Sequence, residues 1–123
     1  LFSCTFPEGK RILLHRRPEK GVLRGMWEFP ALEGKLSQDD ALRQALRMVE
    51  PYSLFVHKIA PLRDAKHIFT HIEWQMSAWL LSATADSLPE TQAALPEDFS
   101  LVQRLADITL PSAFKSYRTV FGE

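Results

Sequence analysis

From Ile72 to Ala83 the chain alternates: Ile72, Trp74, Met76 and Ala78 are interleaved with Glu73, Gln75 and Ser77. This is the period of two that marks a half-buried strand. Two apolar stretches at the start, Leu1–Phe6 and Arg11–Arg16, flank the turn sequence Pro7-Glu8-Gly9-Lys10 and are predicted to pair as a hairpin. Leu54–Ile59 and Phe99–Val102 read as further strands, and Pro61–Lys66 as the turn before the long strand. The period changes to that of a helix over Ser37–Glu50, where Leu42, Ala45, Leu46 and Val49 form one stripe. Ser37 is a fitting N-cap, Asp39 and Asp40 sit where the helix dipole favours anions, and Pro51 closes the element. Ala85–Pro96 reads as a polar, proline-punctuated connection. A short helical piece runs to Ala106, and a last helix from Pro111 carries Ala113, Phe114, Tyr117, Val120 and Phe121. Strands, one helix, more strands and terminal helices predict an α+β fold in αβα layers.

A length of 123 residues, 46% hydrophobic and 24% charged, fits one domain, 1–123, with a core of its own. No apolar run approaches the roughly 18–20 residues that cross a bilayer, so no membrane partner is expected. Cys4 is the single cysteine; it excludes an internal disulfide and cannot alone hold zinc or an iron–sulfur cluster. A reducing, cytoplasmic setting is the expectation. The formal charge is zero, 15 basic residues against 15 acidic ones, so contact with nucleic acid has to come from a local patch. The chain opens without Met, inside an apolar run, and reads as part of a longer protein.

Two stretches concentrate chemistry. His67-Ile68-Phe69-Thr70-His71 places two histidines, an aromatic and a hydroxyl in five positions, at what reads as a loop tip entering a strand. The bland account is a polar strand start with Phe69 in the core. Arg17–Pro30 holds two glycines, two prolines and three cations, a long shaped loop of the kind that often carries function. In it Trp27 and Phe29 are expected to plug the core while Arg17, Lys20 and Arg24 face out.

Three motifs in order along the chain then carry a resemblance. Arg16-Arg17-Pro18-Glu19-Lys20-Gly21 with Gly25-Met26-Trp27-Glu28-Phe29-Pro30, His67-Ile68-Phe69-Thr70-His71 with Trp74, and Leu110-Pro111-Ser112-Ala113-Phe114-Lys115 resemble the C-terminal domain of MutY-type adenine DNA glycosylases. That resemblance implies a Nudix-like mixed β-sheet packed between helices. It implies duplex DNA containing 8-oxoguanine opposite adenine as the partner, with a separate N-terminal domain excising the adenine. The catalytic acids and an iron–sulfur cluster would belong to that tethered glycosylase domain, leaving no catalytic residue, metal site or cofactor in this chain. It further implies action in a bacterial cytoplasm, at the nucleoid.

Phe69-Thr70-His71 looks like the family's Phe-Ser-His loop with threonine for serine, and these three residues are the candidate lesion contacts. Oxidation turns guanine N7 from an acceptor into an N–H donor and adds a carbonyl at C8. A threonine hydroxyl both donates and accepts, so Thr70 can serve either atom and the loop backbone the other. Phe69 would brace the loop, from beneath it or against the DNA. His71 would orient the loop or touch phosphate. Arg17, Lys20, Arg24 and Lys66 are the candidate DNA-backbone contacts, which position without reading sequence.

The rivals are a Nudix-fold protein-interaction module and a Nudix hydrolase of oxidised nucleotides. Nudix hydrolysis needs glutamates on one helix to hold magnesium. With Arg43 aligned on the motif arginine, Gln44, Arg47 and Met48 stand where those glutamates belong. A neutral amide, a cation and a thioether suit that ion poorly, so hydrolysis would need other carboxylates, such as Glu28 and Glu33, to rebuild the site.

Overall fold

The computed structural model describes all residues, Leu1–Glu123. Its centre is a six-stranded mixed sheet. The strands are β1 (Phe2–Phe6), β2 (Gly9–Arg16), β3 (Trp27–Glu28), β4 (Phe55–Ile68), β5 (Glu73–Thr84) and β6 (Phe99–Val102). Five follow the order β3-β2-β1-β5-β4, and β6 also pairs with β2. The β1–β5 pair is parallel and the other pairings are antiparallel.

Strand alternation divides the interior into two cores, one on each face of the sheet. On one face Phe2, Cys4, Phe6, Leu13, Leu81 and Ala83 meet Ala45 and Val49 of helix α1 (Gln38–Val49) and Leu88 of helix α2 (Leu88–Ala94). On the other, Leu1, Ile12, Leu14 and Phe29 meet Leu105, Leu110, Ala113, Phe114 and Tyr117 from the C-terminal segment. Trp74, Met76, Ala78 and Leu80 of β5 join this second core, while Trp79 packs into the first. The αβα layering matches the expected fold class.

The differences from the expectation are local. Pro61–Lys66 is not a turn: β4 runs for 14 residues through it, with irregular register between Leu62 and Ala65. β4 lies at the edge of the sheet, where a proline's missing N–H costs no ladder bond. Ile72 does not share the inward face of β5; it lies in the turn before the strand and is exposed. In α1 the buried residues are Ala41, Ala45 and Val49, and Leu46 is exposed. The stripe is rotated from the expected one because Met48 and Leu42 flank it, half-buried. Ala85–Pro96 contains α2, capped by Ser87 accepting from the Glu90 N–H at 3.3 Å. The last helix is broken: Lys115–Arg118 forms α3 between two 3-10 turns, Ser112–Phe114 and Thr119–Phe121.

The C-terminal segment is tied to the irregular part of β4. Tyr117 Oη donates to the Arg63 carbonyl at 3.0 Å, and Arg63 Nη2 donates to the Ser116 carbonyl at 3.1 Å. In the first core, Cys4 is fully enclosed, and burial pushes its thiol from an ordinary value of 9 up to about 12. The unfolded chain therefore releases this proton first, and stability should fall as pH rises through that window. At pH 8 a thiol reagent is expected to label Cys4 only at the rate of global opening, which labelling with and without denaturant measures.

Candidate nucleic-acid interface at the hairpin tip

β4 and β5 form a long hairpin whose last pair is Ile68 opposite Glu73. The four residues between them, Phe69-Thr70-His71-Ile72, are the tip, closed by the Phe69 N–H donating to the Ile72 carbonyl at 2.7 Å. Thr70 and His71 are exposed at its end, and Phe69 is half-buried beneath it. Ile68 and Ile72, at 64% and 47% exposure, present apolar surface on either side.

Phe69 lies between two rings. His67 meets it at 4.6 Å and 69°, and Trp74 at 4.9 Å and 70°, both edge-on geometries favoured by the aromatic quadrupole. Trp74 also approaches Phe114 at 6.2 Å. Phe114 in turn makes an edge contact with Phe29 at 6.1 Å, and Phe29 stacks on Phe121 at 6.0 Å. The three motifs that carry the resemblance thus meet around Trp74. Phe69 comes from the tip, Phe114 from the C-terminal segment, and the third contact is Arg17, whose guanidinium carbon lies 4.9 Å from the Trp74 ring centre.

That contact corrects the expectation that Arg17 faces out. Its Nη1 donates to Glu28 Oε1 at 3.0 Å and its Nε to the Val22 carbonyl at 2.9 Å. The reason is Glu28, 4% exposed, a buried carboxylate that has to be paired. Its other oxygen meets His15 Nδ1 at 2.8 Å, and His15 Nε2 meets Asp98 Oδ2 at 3.0 Å. Both ring nitrogens of His15 are thus engaged by carboxylate oxygens. Arg16, Arg17, Pro18 and Glu19 line a cleft of about 300 Å³ together with His15 and Asp98.

Lys20 and Arg24 do face solvent, on the loop that Arg17 pins beside the tip. The loop's neck is closed by Arg17 N–H to Met26 O and Gly25 N–H to Pro18 O. Gly25 has φ +68°, a conformation that favours glycine. Lys66 is exposed on β4, 4.0 Å from the exposed Glu73 across the strand pair. Sequence reasoning does not find the Glu28–His15–Asp98 network, in which His15 bonds a residue 83 positions further along the chain. Trp74 belongs to one of the three motifs, but nothing in the sequence marks it as their meeting point.

Residues 4–119 match the NUDIX domain family. The chain belongs to that family. Adenine DNA glycosylase of Mus musculus is 29% identical to it over 87 residues, covering 69% of this chain and 16% of that protein. The chain therefore spans about a sixth of its curated relative's length. Among solved structures, the C-terminal domain of mouse MUTYH, crystallised with human PCNA, matches this NUDIX domain with a TM-score of 0.59. The identity is 19%, over 98% of this chain and 86% of the other. The Nudix hydrolase RenU of M. smegmatis matches with a TM-score of 0.55 at 19% identity, covering 98% and 82%. These matches bear out the MutY-type resemblance, the two structures speaking for the fold alone.

Magnesium, which the NUDIX fold family implies, does not fit the donors here. On α1, Gln44 and Arg47 face solvent and Met48 is half-buried. Glu28 is committed to His15 and Arg17, and Glu33 is exposed on its own loop. Nowhere do three His, Cys, Asp or Glu side chains converge as ligands.

Proposed function

We propose that this NUDIX domain is a DNA-lesion reader. In this reading it recognises 8-oxoguanine opposite adenine in duplex DNA and works with a tethered adenine glycosylase domain. The hairpin tip carries the proposal: a narrow turn that exposes Thr70 and His71 while Phe69 is clamped between His67 and Trp74. A recognition loop needs donors and acceptors held in place before the base arrives. Thr70, with its two-way hydroxyl and a branched side chain stiff at χ1, meets that need. Lys20, Arg24 and Lys66 supply the phosphate contacts in this reading, and His71 orients the tip or joins them. With a formal charge of zero, affinity for DNA is modest, and the tethered domain raises it through effective concentration.

Thr70→Ala is expected to reduce the preference for an 8-oxoguanine:adenine duplex over a guanine:adenine one by about 1–3 kcal/mol, or roughly 5–150-fold. Because Thr70 is exposed, its melting curve should stay within about 0.5 kcal/mol of the wild type. Titrations of both duplexes at low salt make the measurement, since phosphate contacts weaken as salt rises. An unchanged preference would sink the assignment of Thr70. Turnover of 8-oxo-dGTP with magnesium would revive the hydrolase reading.

A further inference from the structure

Of the three cations on the Arg17–Pro30 loop, Arg17 alone is turned inward, and its contacts suit a task other than holding phosphate. Nη1 and Nε are used within the protein, on Glu28 and on the Val22 carbonyl. The side chain is 22% exposed and its charge is balanced by Glu28, which leaves little field for a phosphate outside. Those two bonds instead fix the guanidinium beside Trp74, 4.9 Å from the ring centre, within range of a cation–π contact. Trp74 is 4.9 Å from Phe69, and Phe69 opens the tip and closes it through the bond to Ile72. Glu28, Arg17, Trp74, Phe69 and the tip are in series.

We propose that Arg17 is a positioning residue for the tip, holding Thr70 and His71 in register through Trp74 and Phe69 without touching DNA. The proposal deepens the lesion-reading assignment and rests on it for its effect on recognition, but not for its effect on the free protein. Lysine cannot replace arginine here. A compact ammonium lacks the planar fork that serves Glu28 and Val22 together while its carbon stands over the indole.

The experiment compares the 123-residue chain with Arg17→Lys and with the double variant Lys20→Ala/Arg24→Ala, by amide NMR. Each is studied free and during titration with the two duplexes at two salt concentrations. In the free protein Arg17→Lys should move the Phe69–Ile72 amide signals and the Trp74 indole signal, and the double variant should leave them in place. With DNA, Arg17→Lys should cut the lesion preference at least about threefold. The double variant should keep that preference while lowering the logarithmic salt slope by about 0.9 for each phosphate that its removed cations neutralised.

Unmoved tip signals in Arg17→Lys, or wild-type preference restored by lysine's charge alone, would overturn the proposal. A wild-type chain with no lesion preference would instead defeat the functional reading, and the free-protein spectra would still decide the role of Arg17. Should Arg17→Lys fail to fold, Trp74→Leu serves in its place. It leaves Arg17 on Glu28 and must move the same tip signals; a tip that stays put overturns the proposal.

Discussion

Trp74→Ala is expected to destabilise the domain by about 3 kcal/mol, the lower end for loss of a large aromatic from a core, because Trp74 is half-buried. The change removes the ring against which Phe69, Phe114 and Arg17 rest. No neighbour is placed to fill the gap: Phe69 sits in a tight turn and Phe114 is held by Phe29. A melting temperature lower by on the order of 10 °C should accompany it. The functional consequence should exceed the stability one. Well below the new melting point the chain remains folded, yet the tip has lost one side of its clamp. Denaturation gives the stability and duplex titration at low temperature the recognition. A variant that melts earlier but keeps its lesion preference would show that the aromatic clamp serves stability only.

Glu28→Ala is the second large effect, about 2–3 kcal/mol of destabilisation. Removing one partner of a buried ion pair costs more than the pair contributes, since Arg17 loses its counter-ion and His15 its hydrogen-bond partner. The figure is set below the fully buried range because Arg17 and His15 are 22% and 24% exposed, so water screens part of the loss. Glu28→Gln keeps the shape and one acceptor oxygen and should fall between alanine and wild type. Urea denaturation of the three proteins gives the order. Equal stability of all three would mean that the network contributes nothing net, and the loop would then be held by its backbone neck and the Arg17 contacts to Val22 and Trp74.

Much of the architecture is legible in the sequence because the sheet obeys a strict period. Adjacent core residues of β2 and β5 enter opposite cores, and alternation is the most direct record a sequence keeps of a strand. The tip is legible for a related reason: Thr70 and His71 interrupt apolar surroundings where packing does not ask for them. Pro61 misleads, because it reads as a turn. A proline reports a missing donor and a fixed φ, and both are tolerated at a sheet edge, which a sequence does not mark. α2 does carry a helix cue, Ser87 three residues ahead of Glu90, but the prolines within and after it read more strongly as a connection. Arg17 reads as outward-facing because its partner, Glu28, looks locally like one more surface charge. The burial of Glu28 follows from long-range packing of β3 against β2, opposite His15.

The layout of α1 has a consequence for how this chain relates to the hydrolytic members of its family. The helix packs through Ala41, Ala45 and Val49, while Gln44 and Arg47 face water. Substitutions at those two outward positions change stability by no more than about 0.5 kcal/mol, so carboxylates could stand there without disturbing the fold. Met48 differs, because it packs against the first core. A glutamate there would bring a charge into an apolar contact, so Met48→Glu is expected to cost stability where Gln44→Glu and Arg47→Glu do not. Two of the three positions answer to solvent alone, and the third answers to the core.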